Sequence, residues 1–407
     1  MSVTHTRTGT PVIASHDDAV AVAQAFAQRI SDGVLERDRA GSLPVAELAD
    51  LDRSGLLAIT VPRGRGGSGL GCVTLAAVAR TIASVDPAIA QAAQGHFLFT
   101  DVLDAFGDDE QQRVLFADVL AGARIANALA ERGGAHAQDL QTRLSAAASA
   151  ATPVLTGRKY YATGALTAHW IAATALDDAG ELVLALVERE SDGVELDHDW
   201  DVMGQRATVS GGVSFDQVVV DPRLVLPYGQ FFEVPQQFGA RAQLYHAAIQ
   251  VGIADGALRD AQAYVTTRAR PFFEATRAGW APTAAADPHT IHRFGQLATR
   301  VHAAEVLLHA TAATLDQIGL VPQDPESAAR GSIAVAQLKA FASETAVAVA
   351  SDIFSLTGAS AASRKYDLDR HWRNARTHAS HDPVDWKYHH VGNFLLNGVL
   401  PPNHGQL

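Results

Sequence analysis

The sequence predicts a mainly α protein with a central β domain: an N-terminal helical domain, a small β-barrel or sandwich, and a C-terminal four-helix bundle. Three observations predict it. Apolar residues recur at i, i+3, i+4 and i+7 before about residue 122 and again after about residue 228. Between those limits the pattern changes to alternation, broken by turn residues. At 407 residues the chain is too long for one simple core, so two or three structural units are expected.

The elements follow in order. Residues 1–14 are polar, read as a flexible tail, and lack the apolar stretch of a secretory signal. Ser15, with Asp17 and Asp18 behind it, reads as an N-cap with acids near the positive end of the helix dipole. Val20, Ala23, Phe26, Ala27 and Ile30 then share a face. A short helix over Leu43–Arg53 stops at Gly55, and another covers Leu75–Ala83, so residues 15–122 form the helical domain. Residues 123–227 form the β domain. Val183, Ala185 and Val187 alternate with Leu184, Leu186 and Glu188; Val213 and Phe215 alternate with Ser214 and Asp216. Asp177–Gly180 and Gly211-Gly212 read as turns.

Residues 228–407 form the bundle. One stripe is Leu244, Ala247, Ala248, Val251, Ala254 and Leu258. A second is Ile291, Phe294, Ala298, Val301, Ala304 and Leu308, and a looser third is Ile333, Leu338, Ala342, Val349, Ile353 and Leu356. A last helix around Tyr388–Leu396 makes four. Ala281–Asp287 reads as the loop between bundle helices.

Composition removes several functions. Asp and Glu total 44 against 32 Lys and Arg, a formal net charge of -12. Such a surface argues against nucleic acid, which needs a basic stripe, and against anionic membranes. With Cys72 as the one cysteine, an internal disulfide and cysteine-based zinc or iron–sulfur sites are excluded. No run approaches 18 apolar residues, so no membrane-spanning helix is expected, and a soluble cytoplasmic protein is.

Gly64–Gly69 spells G-x-G-x-x-G. It follows Pro62 in a helical region instead of the first strand of a βαβ unit, so it reads as a structural loop. There is no P-loop and no G-x-S-x-G elbow, which speaks against nucleotide hydrolysis and serine hydrolases. His371, His378, His381, His389 and His390 lie within twenty residues, with His404 behind them. His378 and His381, spaced i, i+3 beside Asp382, could hold non-haem iron or zinc. That would leave the rest of the chain unexplained, and no metal is assigned. Most of these histidines are ordinary core or surface residues.

Several phrases are more specific: Gly95-His96-Phe97, Gly122–Arg132, Gly157–Gly164, Met203–Arg206, Thr267–Phe272 and Leu368–Pro383, the last followed by Trp386-Lys387-Tyr388 and Val391-Gly392-Asn393. Together, over nearly the whole chain, they resemble the acyl-CoA dehydrogenase superfamily. The likeness is greater to its flavin-dependent monooxygenase branch, which includes dibenzothiophene monooxygenase-like enzymes and SfnB-type sulfur acquisition oxidoreductases. Two places depart from the dehydrogenases. Their T-E-P-x-x-G-S-D-like loop is replaced by Ala130–His136, and where many carry a late catalytic Glu this chain has His381-Asp382-Pro383.

The resemblance implies a two-component monooxygenase. It would take reduced FMN from a separate NAD(P)H-flavin reductase, form a C4a-hydroperoxyflavin with O2, and oxygenate a small organosulfur substrate. An FAD-dependent acyl-CoA dehydrogenase, an amine N-hydroxylase and a non-catalytic scaffold are the alternatives. The same carry-over assigns catalysis to His96, Asn127, Thr163, His378 and His381, uncharged groups that can donate to an oxygen adduct without adding negative charge. It assigns flavin binding to Asn127, Ala128, Leu129, Tyr161 and Thr163. Arg268 and Arg270 resemble the arginines that reach a neighbouring subunit's flavin, although ordinary ion pairs would also explain each, and Thr357-Gly358-Ala359-Ser360 resembles the phosphate-proximal turn. A homotetramer, a dimer of dimers, is implied by the same route.

Overall fold

The computed structural model describes residues 9–134, 139–146 and 152–405. Of the positions named above, most of the N-terminal tail and Ala135 and His136 lie outside these residues.

Among the described residues seven α-helices come first: α1 His16–Ile30, α2 Val34–Ala40, α3 Val45–Arg53, α4 Cys72–Ala83, α5 Pro87–Ala92, α6 Gln94–Phe106 and α7 Asp109–Leu120. The Ser15 hydroxyl caps α1 by accepting from Asp18 N–H. The buried face of α1 is Ala19, Ala23, Phe26, Ala27 and Ile30; Val20 is only half-buried, one step round from Ala19. The glycine-rich segment is a loop, with Gly66 and Gly69 at positive φ.

Eight strands follow among the described residues: β1 Ile125–Ala128, β2 Arg143–Ala146, β3 Pro153–Lys159, β4 Trp170–Asp177, β5 Leu182–Glu188, β6 Val194–Leu196, β7 Val213–Val219 and β8 Val225–Leu226. They form one sheet, in the order β6-β7-β3-β2-β4-β5-β8, with β1 pairing β4 in parallel. The anticipated alternation in β5 does not separate core from solvent. Leu184 and Leu186 pack with α6 and α7, while Val183, Ala185 and Val187 pack with the β3 and β7 residues Leu155, Val213 and Phe215. Both faces of β5 are covered, so apolar residues fill both sets. In β7 the alternation shifts after Phe215, because the pairing to β3 slips between Leu155 and Gly157 and Gln217 takes φ 51. This is a β-bulge.

The C-terminal region holds α8 Phe238–Thr267, α9 Phe273–Arg277, α10 Pro288–Ile318, α11 Pro325–Asp352, α12 Phe354–Thr357, α13 Asp369–Ala379 and α14 Val384–Asn397. Helices α8, α10 and α11 carry three of the expected stripes, and α4 joins them in one core. The α10 stripe runs Leu297, Val301, Ala304, Leu308 and Leu315; Ile291 instead faces outward. The fourth bundle position is shared by α13 and α14, both packed on α11. By length and composition the segment Pro325–Thr357 could cross a membrane, but 67% of its most apolar window is buried inside the protein. Its apolarity is that of a central core helix.

Candidate active site

The junction of α5 and α6 gathers most of the singled-out residues. Gln91 lies in α5, and its Oε1 is 3.0 Å from His378 Nε2 on α13. Gly164, at φ 77, lies so near that junction that a Cβ there would sit 2.7 Å from Ala92 O, so the Thr163 loop needs glycine at this step. Gly95, in the first turn of α6, backs onto Asn127 of β1. Asn127, Thr163 and His378 are thereby brought around one short segment.

On the β-domain side, Asn127 donates from Nδ2 to Tyr161 O at 3.2 Å. That fixes its amide orientation, because a carbonyl only accepts. Tyr161 is half-exposed and takes φ 58. Thr163 Oγ1 is 2.7 Å from Ser210 Oγ. Ser210 in turn donates to Thr208 Oγ1 at 2.8 Å, and Thr208 donates to Gln205 O at 2.8 Å. This loop is strained: Gln205 has φ 55 and Val209 φ 43. Left-handed backbone is costly for a β-branched valine and persists only where surroundings over-determine it. Here α13 supplies the constraint. Asn374 Oδ1 accepts from Gln205 N–H at 2.5 Å, and Gly204 approaches the α13 backbone so closely that a Cβ would collide with Arg373 O.

The other wall is histidine. His378 Nε2 is also 3.2 Å from Nδ1 of His246 on α8, and the His246 and His381 rings lie 4.3 Å apart. Burial holds both His246 and His378 well below the ordinary imidazole value, with the positive charge of Lys339 adding to the effect at His378. Both are neutral at pH 7. His378 Nδ1 is buried with no hydrogen-bond partner among the described residues. His381 is partly exposed and turns Nδ1 to Asp382 Oδ1 at 3.1 Å.

Lys339 approaches the same Asp382 oxygen at 3.3 Å, and Lys387 holds the other oxygen, Oδ2, at 2.7 Å. Despite burial, Lys339, the His381 contact and Lys387 hold the Asp382 carboxyl far below the usual carboxylate range. A carboxylate so stabilised is a very weak base. Asp382, which lies near the dehydrogenase Glu position, is therefore poorly suited to accept a proton. Nor do His378, His381 and Asp382 converge as a ligand set; no group of three metal-ligating side chains does so among the described residues.

The structure gives His96 a different place from the one expected. It is fully buried, with Nε2 donating to Leu57 O at 2.8 Å and Nδ1 accepting from Ile125 N–H at 3.3 Å. Burial pushes its pKa down to about 4. Both ring nitrogens are used, so His96 ties α6 to β1 and has none left to donate to an adduct. Ala128 is buried and Leu129 half-buried; Leu129 O accepts from Thr174 at 2.9 Å. Lys159 meets Glu131 at 2.7 Å, locking the loop after β1 into a buried ion pair. His371 bonds Asp260 at 2.9 Å and is structural.

Arg268 and Arg270 are exposed just beyond α8. The Arg268 guanidinium lies 5.3 Å from the Tyr366 ring centroid. The turn after α12 sits beside them, since Ser360 Oγ is 2.9 Å from the Tyr264 hydroxyl of α8. This group is about 33 Å along the α8 axis from His246, at 1.5 Å per residue, and so does not join the histidine wall of its own chain. The sequence reading missed His246, Gln91, Thr208, Ser210, Lys339 and Lys387. His246 lies between core residues Leu244 and Ala247, where nothing in the spacing marks it.

Family models match three stretches: the acyl-CoA dehydrogenase N-terminal domain over residues 15–123, the middle domain over 126–218 and the C-terminal domain over 244–386. A dibenzothiophene monooxygenase of Rhodococcus erythropolis is 32% identical, covering 96% of each chain. A probable FMNH2-dependent monooxygenase SfnC of Pseudomonas putida is 30% identical, over 96% of this chain and 98% of that one. The crystal structure of FMN-bound TdsC from Paenibacillus sp. A11-2 superposes with a TM-score of 0.90 at 31% identity, covering 96% of this chain and all of the other. The chain belongs to the acyl-CoA dehydrogenase superfamily, in its flavin-dependent monooxygenase branch.

Proposed function

We propose that this chain is the oxygenase of a two-component flavin monooxygenase, using reduced FMN and O2 to oxygenate a small organosulfur compound. The observation that carries this reading is the locking of Asp382 between Lys339 and Lys387 beside neutral imidazoles. A dehydrogenase needs a free carboxylate within reach of the substrate α-proton. An oxygenase needs uncharged hydrogen-bonding groups around a dry pocket.

The residues fit the flavin. Asn127 keeps a second N–H and its carbonyl oxygen, Thr163 offers a hydroxyl, and His378 Nδ1 is unpartnered. Ala128, Leu129 and Tyr161 would line the ring. Bound reduced FMN would supply the activation of O2. The chain's part is to hold the ring between β domain and helices, exclude water, and place neutral His378 and partly exposed His381 on one side. His381, tethered to Asp382, can turn a free nitrogen toward a reacting oxygen. His96 holds Leu57 and β1 in place beneath.

The active assembly is a homotetramer, a dimer of dimers. Arg268, Arg270 and Thr357–Ser360 would contact the flavin of a neighbouring subunit, because they lie too far from the histidine wall of their own. Exposed Phe272, Phe273, Trp280, Leu395 and Leu396 support burial against other copies. The need for a reductase in the same compartment supports a cytoplasmic site. The three units run 15–122, 123–227 and 228–407.

The experiment is turnover with reduced FMN, a flavin reductase and O2 on sulfides, sulfoxides and sulfones. Oxygenated sulfur product is expected. Tightly held FAD that bleaches anaerobically with an acyl-CoA thioester, with no oxygenation of any substrate, would overturn the proposal.

A further inference from the structure

The hydroxyl chain behind Thr163 has a fixed direction. It ends on a backbone carbonyl, Gln205 O, which can only accept. Thr208 must therefore donate to it across 2.8 Å. With that proton committed, Ser210 must donate to Thr208 across 2.8 Å. Thr163 is then left to donate to Ser210 at 2.7 Å, or over the longer 3.5 Å to Tyr161 O, and on either path its proton points into the protein. If it turned its proton elsewhere, two oxygen lone pairs would face each other at 2.7 Å. No tautomer or amide flip can reverse this order, since each member is a hydroxyl or a main-chain group. The loop is also held rigidly. Asn374 accepts from Gln205 N–H, Asp38 accepts from Asn374 Nδ2 at 3.3 Å, and Arg373 pairs with Asp38 at 2.7 Å. Thr208 and Ser210 are both buried, so water does not compete.

We infer that this relay leaves Thr163 with lone pairs only, so that the site selects reduced over oxidised FMN, with Ser210 and Thr208 as positioning residues. The inference rests on the proposal that Thr163 faces the flavin. Reduced flavin carries N–H at ring nitrogen N5; oxidised flavin has a bare lone pair there. An acceptor-only hydroxyl bonds the first and repels the second. An ordinary hydroxyl, free to rotate, would serve both. The relay also revises the chemistry assigned to Thr163: it accepts, and donation to an oxygen adduct falls to Asn127.

The test compares affinity for reduced and oxidised FMN by anaerobic equilibrium titration, together with the midpoint potential of bound FMN. The wild type should bind the reduced form more tightly. Ser210→Ala removes the nearer acceptor of the Thr163 proton, leaving only Tyr161 O at 3.5 Å, and so loosens that hydroxyl to donate to the flavin. The preference should fall about 10-fold, the scale of one net hydrogen bond, and the midpoint potential should fall by about 30 mV for the two-electron couple. Ser210→Thr keeps a hydroxyl and should restore both. A Ser210→Ala protein that is folded, binds FMN and keeps the full wild-type preference overturns the relay alone. A folded wild type that binds neither redox state overturns the flavin reading beneath it. Loss of binding in Ser210→Ala without restoration in Ser210→Thr also counts against the relay.

Discussion

The ammonium of Lys387 lies 2.7 Å from Asp382 Oδ2, and both side chains are buried. Lys339, also buried, approaches the other carboxylate oxygen. One acid thus neutralises part of a doubly cationic core. Asp382→Asn should cost about 3–5 kcal/mol, because it leaves buried ammonium groups uncompensated. Urea unfolding at pH 7 measures this. The sign with pH follows from the depressed carboxyl. The stabilisation is complete above the unfolded carboxylate value near 4 and is lost as pH falls below it toward the folded value. Wild-type stability should therefore drop more steeply than that of Asp382→Asn in acid. A variant of unchanged stability that had lost bleaching by acyl-CoA would return Asp382 to the role of base.

His96 and His371 give a second pH dependence, at higher pH. Burial lowers each to about 4, so protons bind the unfolded chain first. Stability should fall as pH drops from about 6.5 toward 4 and then level off as far as these groups are concerned. Each contributes up to about 3 kcal/mol at 1.36 kcal/mol per unit. His96→Ala should flatten its share of that slope and lose about 2–4 kcal/mol at pH 7 with its two buried hydrogen bonds. Thermal unfolding between pH 7 and 4 checks both. An unchanged slope in His96→Ala would contradict the buried neutral ring.

The helical stripes and the β region were legible from spacing and residue type, and the long phrase around His378 from its resemblance to the family. The groups that complete the site were not, for physical reasons. His246 stands within a core stripe, and only tertiary packing turns it to His378. Gln91 and Asn374 act across more than a hundred residues. Thr208 and Ser210 look like loop residues until the left-handed turns at Gln205 and Val209 are known. His96 was assigned to catalysis by resemblance, whereas its hydrogen bonds to Leu57 and Ile125, which use both ring nitrogens, depend on the helical and β domains meeting. Strand β5 showed alternation, yet not that both its faces are buried.

His381→Ala should separate binding from coupling. The ring is partly exposed and contacts Asp382 and His246 without holding the fold together. Affinity for reduced FMN should stay within about 3-fold, less than one net hydrogen bond. Oxygenated product per NAD(P)H should fall at least about 10-fold while hydrogen peroxide rises. Parallel assays of product and peroxide decide it. Full coupling in the variant removes His381 from oxygen transfer.

Arg268 should act in trans. Arg268→Ala and Thr163→Val homomers are each expected to bind FMN at least about 10-fold more weakly, since each removes a polar contact, a charge-assisted one in the case of Arg268. Mixed assemblies of the two variants should regain a fraction of wild-type sites, because some sites would pair an intact Thr163 with an intact Arg268 from a neighbour. Light scattering should give a tetramer. Mixed assemblies with no regained sites would place Arg268 outside the flavin site.

The most direct measurement is oxygen-isotope labelling during turnover with reduced FMN, reductase, an organosulfur substrate and 18O2. The account predicts one 18O atom in the sulfur product and the other in water. Product free of 18O, or an acyl-CoA oxidised to its enoyl form without oxygen incorporation, would contradict it.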